Sequence, residues 1–433
     1  MAAPQTGTPV RKPRRRWRWH VPPALVHGNE SLEGAELLEE FSGAAGLVLW
    51  QSMRDATLWA GARDPEERAG LFRPGAWEAR VRQIEEAGLD AALDAPLRVL
   101  ASISRDPQAV REEDILAACR DIATWAEGRE KLGTAIAMAQ AGALAAPTNA
   151  AAGFRVGQLT RNRGEYARAE SWFRRVIGLG RQAKDWASYA DAFLGLGNLY
   201  LKRGNAPAAR RFIIRGLRAA RRHGLRDIIA RAQHDLFVIA VDAAPPAEAL
   251  EHARAAFKAY GPSHVKLPVL AHDLAYFWMQ RGRFEQALSV FQGLLPYIDR
   301  PWERMQTVAD IGRAAGGAGN RAAFDEAWDE LWSFAGDWHT RPTAAQALLD
   351  LSRGAASLKD WPRAERAATT ARDVATRLAE MKVALEAESL LDSVTRKRNL
   401  EAAQPAAGAD DEAESEGLAA DLNRALASGI PRK

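Results

Sequence analysis

"LGLGNLYLKRGNAPAARRFI", residues 194–213, crowds glycines, an aromatic, a Gly-Asn turn and an alanine-arginine run into one short span. Alone, its glycines could be taken for a phosphate-cradling loop, but neither a GxGxxG nor a GxxxxGK[ST] spacing is present. Set against the rest of the chain, the stretch is one copy of a period. Gly157 falls on Gly197, Gly164 on Gly204, Ala169 on Ala209 and Phe173 on Ile213, at an offset of 40. The frame continues from Leu236, Leu274, Ile311 and Leu351, so successive steps are 40, 40, 38, 37 and 40 residues.

Each copy reads as two helices. The first carries an apolar residue followed by a small one, as in Leu196-Gly197, Leu274-Ala275 and Ile311-Gly312. A turn follows with Gly164, Gly204, Gly282 or Gly319 at one equivalent position, where a left-handed backbone costs glycine little. The second helix opens with alanine and adds apolar residues four and seven positions on. A lone pair of this kind cannot bury its apolar face, so the copies must stack. No alternating strand pattern occurs between about 30 and 400. The expected fold is all-α, a right-handed α-solenoid of helix-turn-helix repeats.

With these residues the chain resembles the tetratricopeptide repeat family, in its bacterial type, with long repeats of 37–40 residues. "LGNLYLKRGNAPAARRFI" and "LAYFWMQRGRFEQALSVF" match that family's small residue after leucine, its aromatic (Tyr200, Trp278), its turn glycine and its second-helix alanine (Ala209, Ala287). The period exceeds the family's usual ~34 residues, and Phe324 stands where alanine belongs. The resemblance implies a superhelix that recognises protein or peptide in a groove lined by first helices. In that register Phe154, Gln158, Asn198 and Tyr276 are candidate contacts. Asn198, Lys202 and Arg231 echo the family's carboxylate clamp, but Leu194 and Asp235 occupy places where the clamp needs polar or basic groups.

Around the repeats, six regions are expected. Residues 1–29 form a disordered basic arm and 30–110 a divergent helical region holding Trp50, Trp59 and Trp77. Residues 111–149 are a degenerate repeat, 150–385 about six repeats, 386–400 a capping helix, and 401–433 an acidic disordered tail with a short amphipathic helix. Lys and Arg number 59 against 55 Asp and Glu, a net charge of +4 that gives the whole chain no case for nucleic-acid binding. One cysteine, Cys119, points to a reducing cytoplasm. No apolar run reaches the ~18–20 residues a membrane span needs, and "VPPALVHGNE" is too short and proline-broken for a signal-peptide core.

Four aspartates recur at one repeat position: Asp235, Asp273, Asp310 and Asp350, with His234 and His272 preceding the first two. Such a row repels itself unless cations intervene. An intrachain network supplies them in one reading, with Arg313 and Arg353 three residues beyond Asp310 and Asp350. In the other, a basic peptide in the groove does so. Arg211, Arg215, Arg218 and Arg222 fall within about 60° on one helix, a solvated face or a docking patch. Arg14, Arg15, Arg16 and Arg18 surround Trp17 and Trp19, a pattern suited to a solubilising arm, to phosphates and stacked bases, or to an anionic membrane surface. In "LAADLNRALASGI", Leu418, Leu422 and Leu426 share a face; an untethered tail is favoured over a helix docking in cis or in trans.

No nucleophile constellation stands out, and no histidine spacing suits a metal. Neither enzyme chemistry nor a cofactor is expected. The function read from the sequence is a non-enzymatic scaffold or adaptor binding a protein or peptide, a basic one if the aspartates face it. The alternative is a regulator touching nucleic acid through its N-terminal region, with the repeats as sensor or dimerisation module.

Overall fold

The computed structural model describes residues 34–62, 64–340, 343–396 and 409–430. The expected basic arm, with Arg14, Arg15, Arg16 and Arg18, lies outside them, as do residues 401–408 of the acidic tail. Among the described residues all regular structure is helical, α-helices with a few short 3-10 turns. The chain divides into two compact units, Met1–Arg203 and Gly204–Lys433.

The first unit opens with α1 (Ala35–Glu40), α2 (Gly43–Gly61), α3 (Pro65–Ala69), α4 (Ala76–Glu86) and α5 (Asp94–Ser102). Antiparallel hairpins follow: α6 (Glu112–Glu127) with α7 (Leu132–Ala145), and α8 (Ala150–Asn162) with α9 (Tyr166–Ala183), before α10 (Trp186–Lys202). The opening helices are pinned to the first hairpin. Helix α7 has no side-chain cap of its own, and Glu40 supplies one, accepting from Gly133 N at 2.8 Å and Thr134 N at 2.7 Å. Terminal N–H groups left bare in a packed region are costly, so this carboxylate fixes where α1 sits. Trp59 donates to the Pro107 carbonyl at 2.7 Å, and the buried Asp55 is held by Arg80 at 2.8 Å.

The second unit comprises α11 (Ala206–Arg222), α12 (Arg226–Ala243), α13 (Pro246–Tyr260), α14 (Leu267–Gln280), α15 (Phe284–Leu294), α16 (Pro301–Gly317), α17 (Arg321–Ser333), α18 (Ala344–Ser357), α19 (Trp361–Arg377), α20 (Met381–Thr395) and α21 (Ala409–Ala427). Even-numbered helices from α12 to α20 are first helices, and odd-numbered ones from α11 to α19 are second helices. One continuous core runs through this unit from Ala230 to Ile430. The helix bounds place α20 at Met381–Thr395, starting earlier than the capping helix read at 386–400.

Local chemistry sets these boundaries. Asn149, Asp185, Asn205, Asn320 and Asp360 stand at N-caps, each accepting from the backbone N–H three residues on. The turn glycines Gly164, Gly204, Gly282 and Gly319 have φ of 90°, 72°, 73° and 72°. Other glycines are packing positions. A Cβ on Gly157 would sit 2.7 Å from the Phe173 ring, one on Gly312 2.5 Å from Leu351, and one on Gly316 would overlap the Gly354 backbone. Helices α16 and α18 therefore meet backbone to backbone, which neither could do with alanine there.

The C-terminal helix corrects the favoured reading of an untethered tail. Helix α21 packs on α13 and α15, both second helices, with Leu418, Leu422, Leu426 and Ile430 buried. The Tyr297 hydroxyl bonds the Leu426 carbonyl and accepts from Ile430 N at 3.2 Å, while Asn423 donates to Ser289 at 2.8 Å. The surface beneath α21 stabilises it by covering its leucines.

Candidate functional site: a groove over a staggered ion ladder

The four aspartates lie on first helices of the second unit: Asp235 on α12, Asp273 on α14, Asp310 on α16 and Asp350 on α18. Three of them meet a basic side chain from the preceding first helix. His234 Nε2 is 2.8 Å from Asp273 Oδ2, His272 Nε2 is 3.2 Å from Asp310 Oδ2, and Arg313 Nη1 donates to Asp350 Oδ1 at 2.9 Å. Glutamines one turn back complete two of them: Gln306 donates to Asp310 at 3.2 Å and Gln346 to Asp350 at 2.9 Å. Arg353 bonds Asp350 at 3.1 Å and reaches Glu386 on α20 at 3.0 Å.

One pairing in the row is corrected here. Arg313 bonds Asp350 on the next first helix, whereas the spacing had paired it with Asp310 on its own; the Asp350–Arg353 pair is present as spaced. Asp310 and Asp350 are 0% exposed and hydrogen-bonded within the chain, as in the first of the two readings of the row. The close approach of α16 and α18 at their glycines is what buries them. Asp235 is half-buried, and Asp273 keeps 37% of its side chain exposed.

Burial and pairing compete at each rung. Burial alone would lower His272, but its contacts with Asp273 and Asp310 outweigh that and raise its pKa to about 10. Burial would raise Asp273, yet hydrogen bonds to His234 and His272 bring it down to about 2. Asp310 moves upward because it is fully buried, against the pull of His272. His272 thus stands between two carboxylates, 3.2 Å from Asp310 and 3.8 Å from Asp273.

Above the lower rungs, first helices enclose a polar groove of about 630 Å³. Tyr276 and Gln280 come from α14, Arg313 from α16, Gln346 and Arg353 from α18, and Lys382, Glu386, Ser389 and Ser393 from α20. One buried carboxylate, Asp350, thereby orients two guanidiniums that line the same opening. A second cleft, of about 430 Å³, is lined by Val265, Val269, Tyr297, Ile298 and Trp302, with Asp273, His272 and Glu303 as its charged members.

The structure brings Tyr276, Arg313 and Arg353 together in the groove and His272 and Asp273 together in the cleft. His234, at 8% exposure, is a rung. Phe154, Gln158 and Asn198 belong to the first unit, half-buried on α8 and α10, with Phe154 against Phe173 at 5.6 Å between ring centres. Arg211, Arg215, Arg218 and Arg222 are exposed on α11. Sequence reasoning missed Gln280, Gln346, Lys382, Glu386, Ser389 and Ser393. Gln306 and Gln346 do carry a signal, each four residues before a row aspartate; Lys382 fell outside the helix read at 386–400, and Glu386, Ser389 and Ser393 fell within it but were given no place on the groove. Cys119 is fully buried, and burial pushes its thiol up to about 12. Among the described residues no group of three or more His, Cys, Asp or Glu could hold a metal ion, and no helix is long and apolar enough to cross a membrane.

Among the described residues the chain is an all-α protein of packed helical hairpins. No protein-family model matches it, and no curated protein does. Among solved structures, the APC/C hetero-tetramer Cut9–Hcn1 matches at 13% identity and a TM-score of 0.45, over 82% of this chain and 56% of that one. The apo form of RapI matches at 13% and 0.42, over 65% and 98%. The signal transduction ATPase with a tetratricopeptide repeat sensor from Pyrococcus horikoshii matches at 12% and 0.37, over 90% and 62%.

Proposed function

We propose that this chain is a non-catalytic scaffold that binds a protein or peptide segment in the groove of α14, α16, α18 and α20. One observation carries the reading: Asp350, wholly buried, holds both Arg313 and Arg353 at the wall of an open polar groove. Donors whose positions are already fixed lose little entropy when a ligand arrives. Gln280, Gln346, Ser389 and Ser393 suit the amides of an extended main chain, and Tyr276 supplies a flat contact. A basic side chain of the same segment fits the neighbouring cleft, with its stem along Val269 and Trp302 and its charge toward Asp273 and Glu303.

Peptide display against the full chain, followed by titration of the selected peptides, tests this. Tyr276→Ala and Lys382→Glu are expected to weaken binding about tenfold or more, and Arg215→Glu on α11 to leave it unchanged. Selected peptides indifferent to both groove variants would remove the reading.

A further inference from the structure

Helix α11 carries a run of arginines on its exposed face. Arg211, Arg215, Arg218, Arg221 and Arg222 are all exposed, and none has an ion-pair partner among the described residues. Arg210 pairs with Glu248 of α13 at 2.6 Å, and Arg215 lies over the Phe212 ring. Beside this face, α11 and α13 flank a cleft of about 330 Å³. Its floor is apolar, with Ile214, Leu217, Leu236 and Ala255; Arg218 and Arg221 rim one side. Glu251 and His252 stand on the other.

The protein itself shows what its second helices accept. Helix α21 lies against α13 and α15 with Leu418, Leu422 and Leu426 buried. The cleft between α11 and α13 is the same kind of place one hairpin earlier, with arginines added along one edge. We infer that it docks an amphipathic helix of a partner protein whose leucine-type stripe enters the floor and whose acidic edge meets Arg218, Arg221 and Arg215. An apolar floor and the carboxylates of Glu248 and Glu251 on the far wall disfavour a phosphate backbone, which would gain from the arginines alone. The partner's other edge, against α13, is uncharged or basic. This surface is made of second helices and is independent of the peptide groove.

The test is fluorescence polarisation with the full-length protein and a labelled synthetic helix carrying leucines at i, i+4 and i+8 and glutamates along one adjoining edge. A leucine-to-serine version and a DNA duplex serve as separate probes. The acidic amphipathic helix should bind in a salt-sensitive manner and the serine version should not. Arg218→Glu with Arg221→Glu should weaken binding about tenfold or more. Ala255→Trp, which fills the floor without touching a charge, should weaken it likewise, with thermal melts showing both variants folded. The inference is overturned if binding ignores both variants, or if duplex DNA binds and the peptide does not. It is also overturned if binding depends only on removal of α21, or if the arginine variant instead dissolves a dimer seen by sedimentation.

Discussion

Arg313 donates to Asp350 across 2.9 Å, from one first helix to the next, and leaves Asp310 on its own helix to His272 and Gln306. Each basic rung thus ties a hairpin to its successor, and the ladder is an element of stacking as much as of charge. Asp350 carries the largest share, because it is fully buried and accepts from Arg313, Arg353 and Gln346. Asp350→Ala is expected to destabilise the protein by about 1–3 kcal/mol, the cost of leaving the half-buried Arg313 and Arg353 guanidiniums without their shared carboxylate. Asp350→Asn should cost less. Urea unfolding followed by circular dichroism measures both, and a shift under about 1 kcal/mol for the alanine variant would show that the pair is not structural.

The His272 cluster gives stability a pH dependence of defined sign. His272 rises from 6.5 to about 10 on folding, so its contribution is complete below 6.5 and disappears as pH climbs through about 10. Asp310, also raised, acts in the same direction. Asp273 falls from 3.8 to about 2, so its contribution is present above 3.8 and lost as pH drops through about 2. The contributions of His272 and Asp273 are therefore both complete between about 4 and 6.5, while that of Asp310 declines as pH rises above 3.8. The stability gap between the native protein and His272→Gln should be widest there and shrink toward pH 10. A gap that stayed constant from pH 5 to pH 10 would mean His272 is not held protonated.

Two glycine classes should respond differently to alanine. Gly316→Ala forces a Cβ into the Gly354 backbone, which no rotamer change relieves, and should cost about 1–3 kcal/mol or separate α16 from α18. Gly319→Ala has open space around its Cβ and pays only for a left-handed φ of 72°, about 1–2 kcal/mol. Only the first should also loosen the groove, read as weaker binding of a selected peptide. Equal effects on binding would argue against the close helix approach.

The docked C-terminal helix can be tested in place. Leu422→Ala removes a fully buried side chain and should raise amide exchange throughout Ala409–Ala427, by an amount equivalent to about 2–5 kcal/mol of local stability. Tyr297→Phe, which loses the hydroxyl bonded to Leu426 and Ile430, should do the same to about 1 kcal/mol. Exchange already fast in the native protein would place the helix off the surface.

What could be read in advance was whatever is local. The turn glycines and the recurrence of small and large residues are short-range chemistry, so the hairpins and their period were legible from residues such as Gly204 and Ala209. The ladder was only half legible. Equivalent positions revealed the row of aspartates, but whether Arg313 serves Asp310 or Asp350 depends on how far one helix slides along the next, and spacing within a helix is silent on that. Glu386 and Lys382 escaped because the aligned repeat frame ends with the copy that begins at Leu351, so no equivalent position pointed to them. The packing of α21 escaped because its leucine stripe is common to tails and docked helices alike, and only α13 and α15 decide between them.

The most direct measurement on the groove is hydrogen–deuterium exchange of the full chain with and without a display-selected peptide. Protection confined to α14, α16, α18 and α20, and abolished by Tyr276→Ala, is the expected result. Protection that falls elsewhere, or that survives the substitution unchanged, would contradict the assignment of this groove as the binding site.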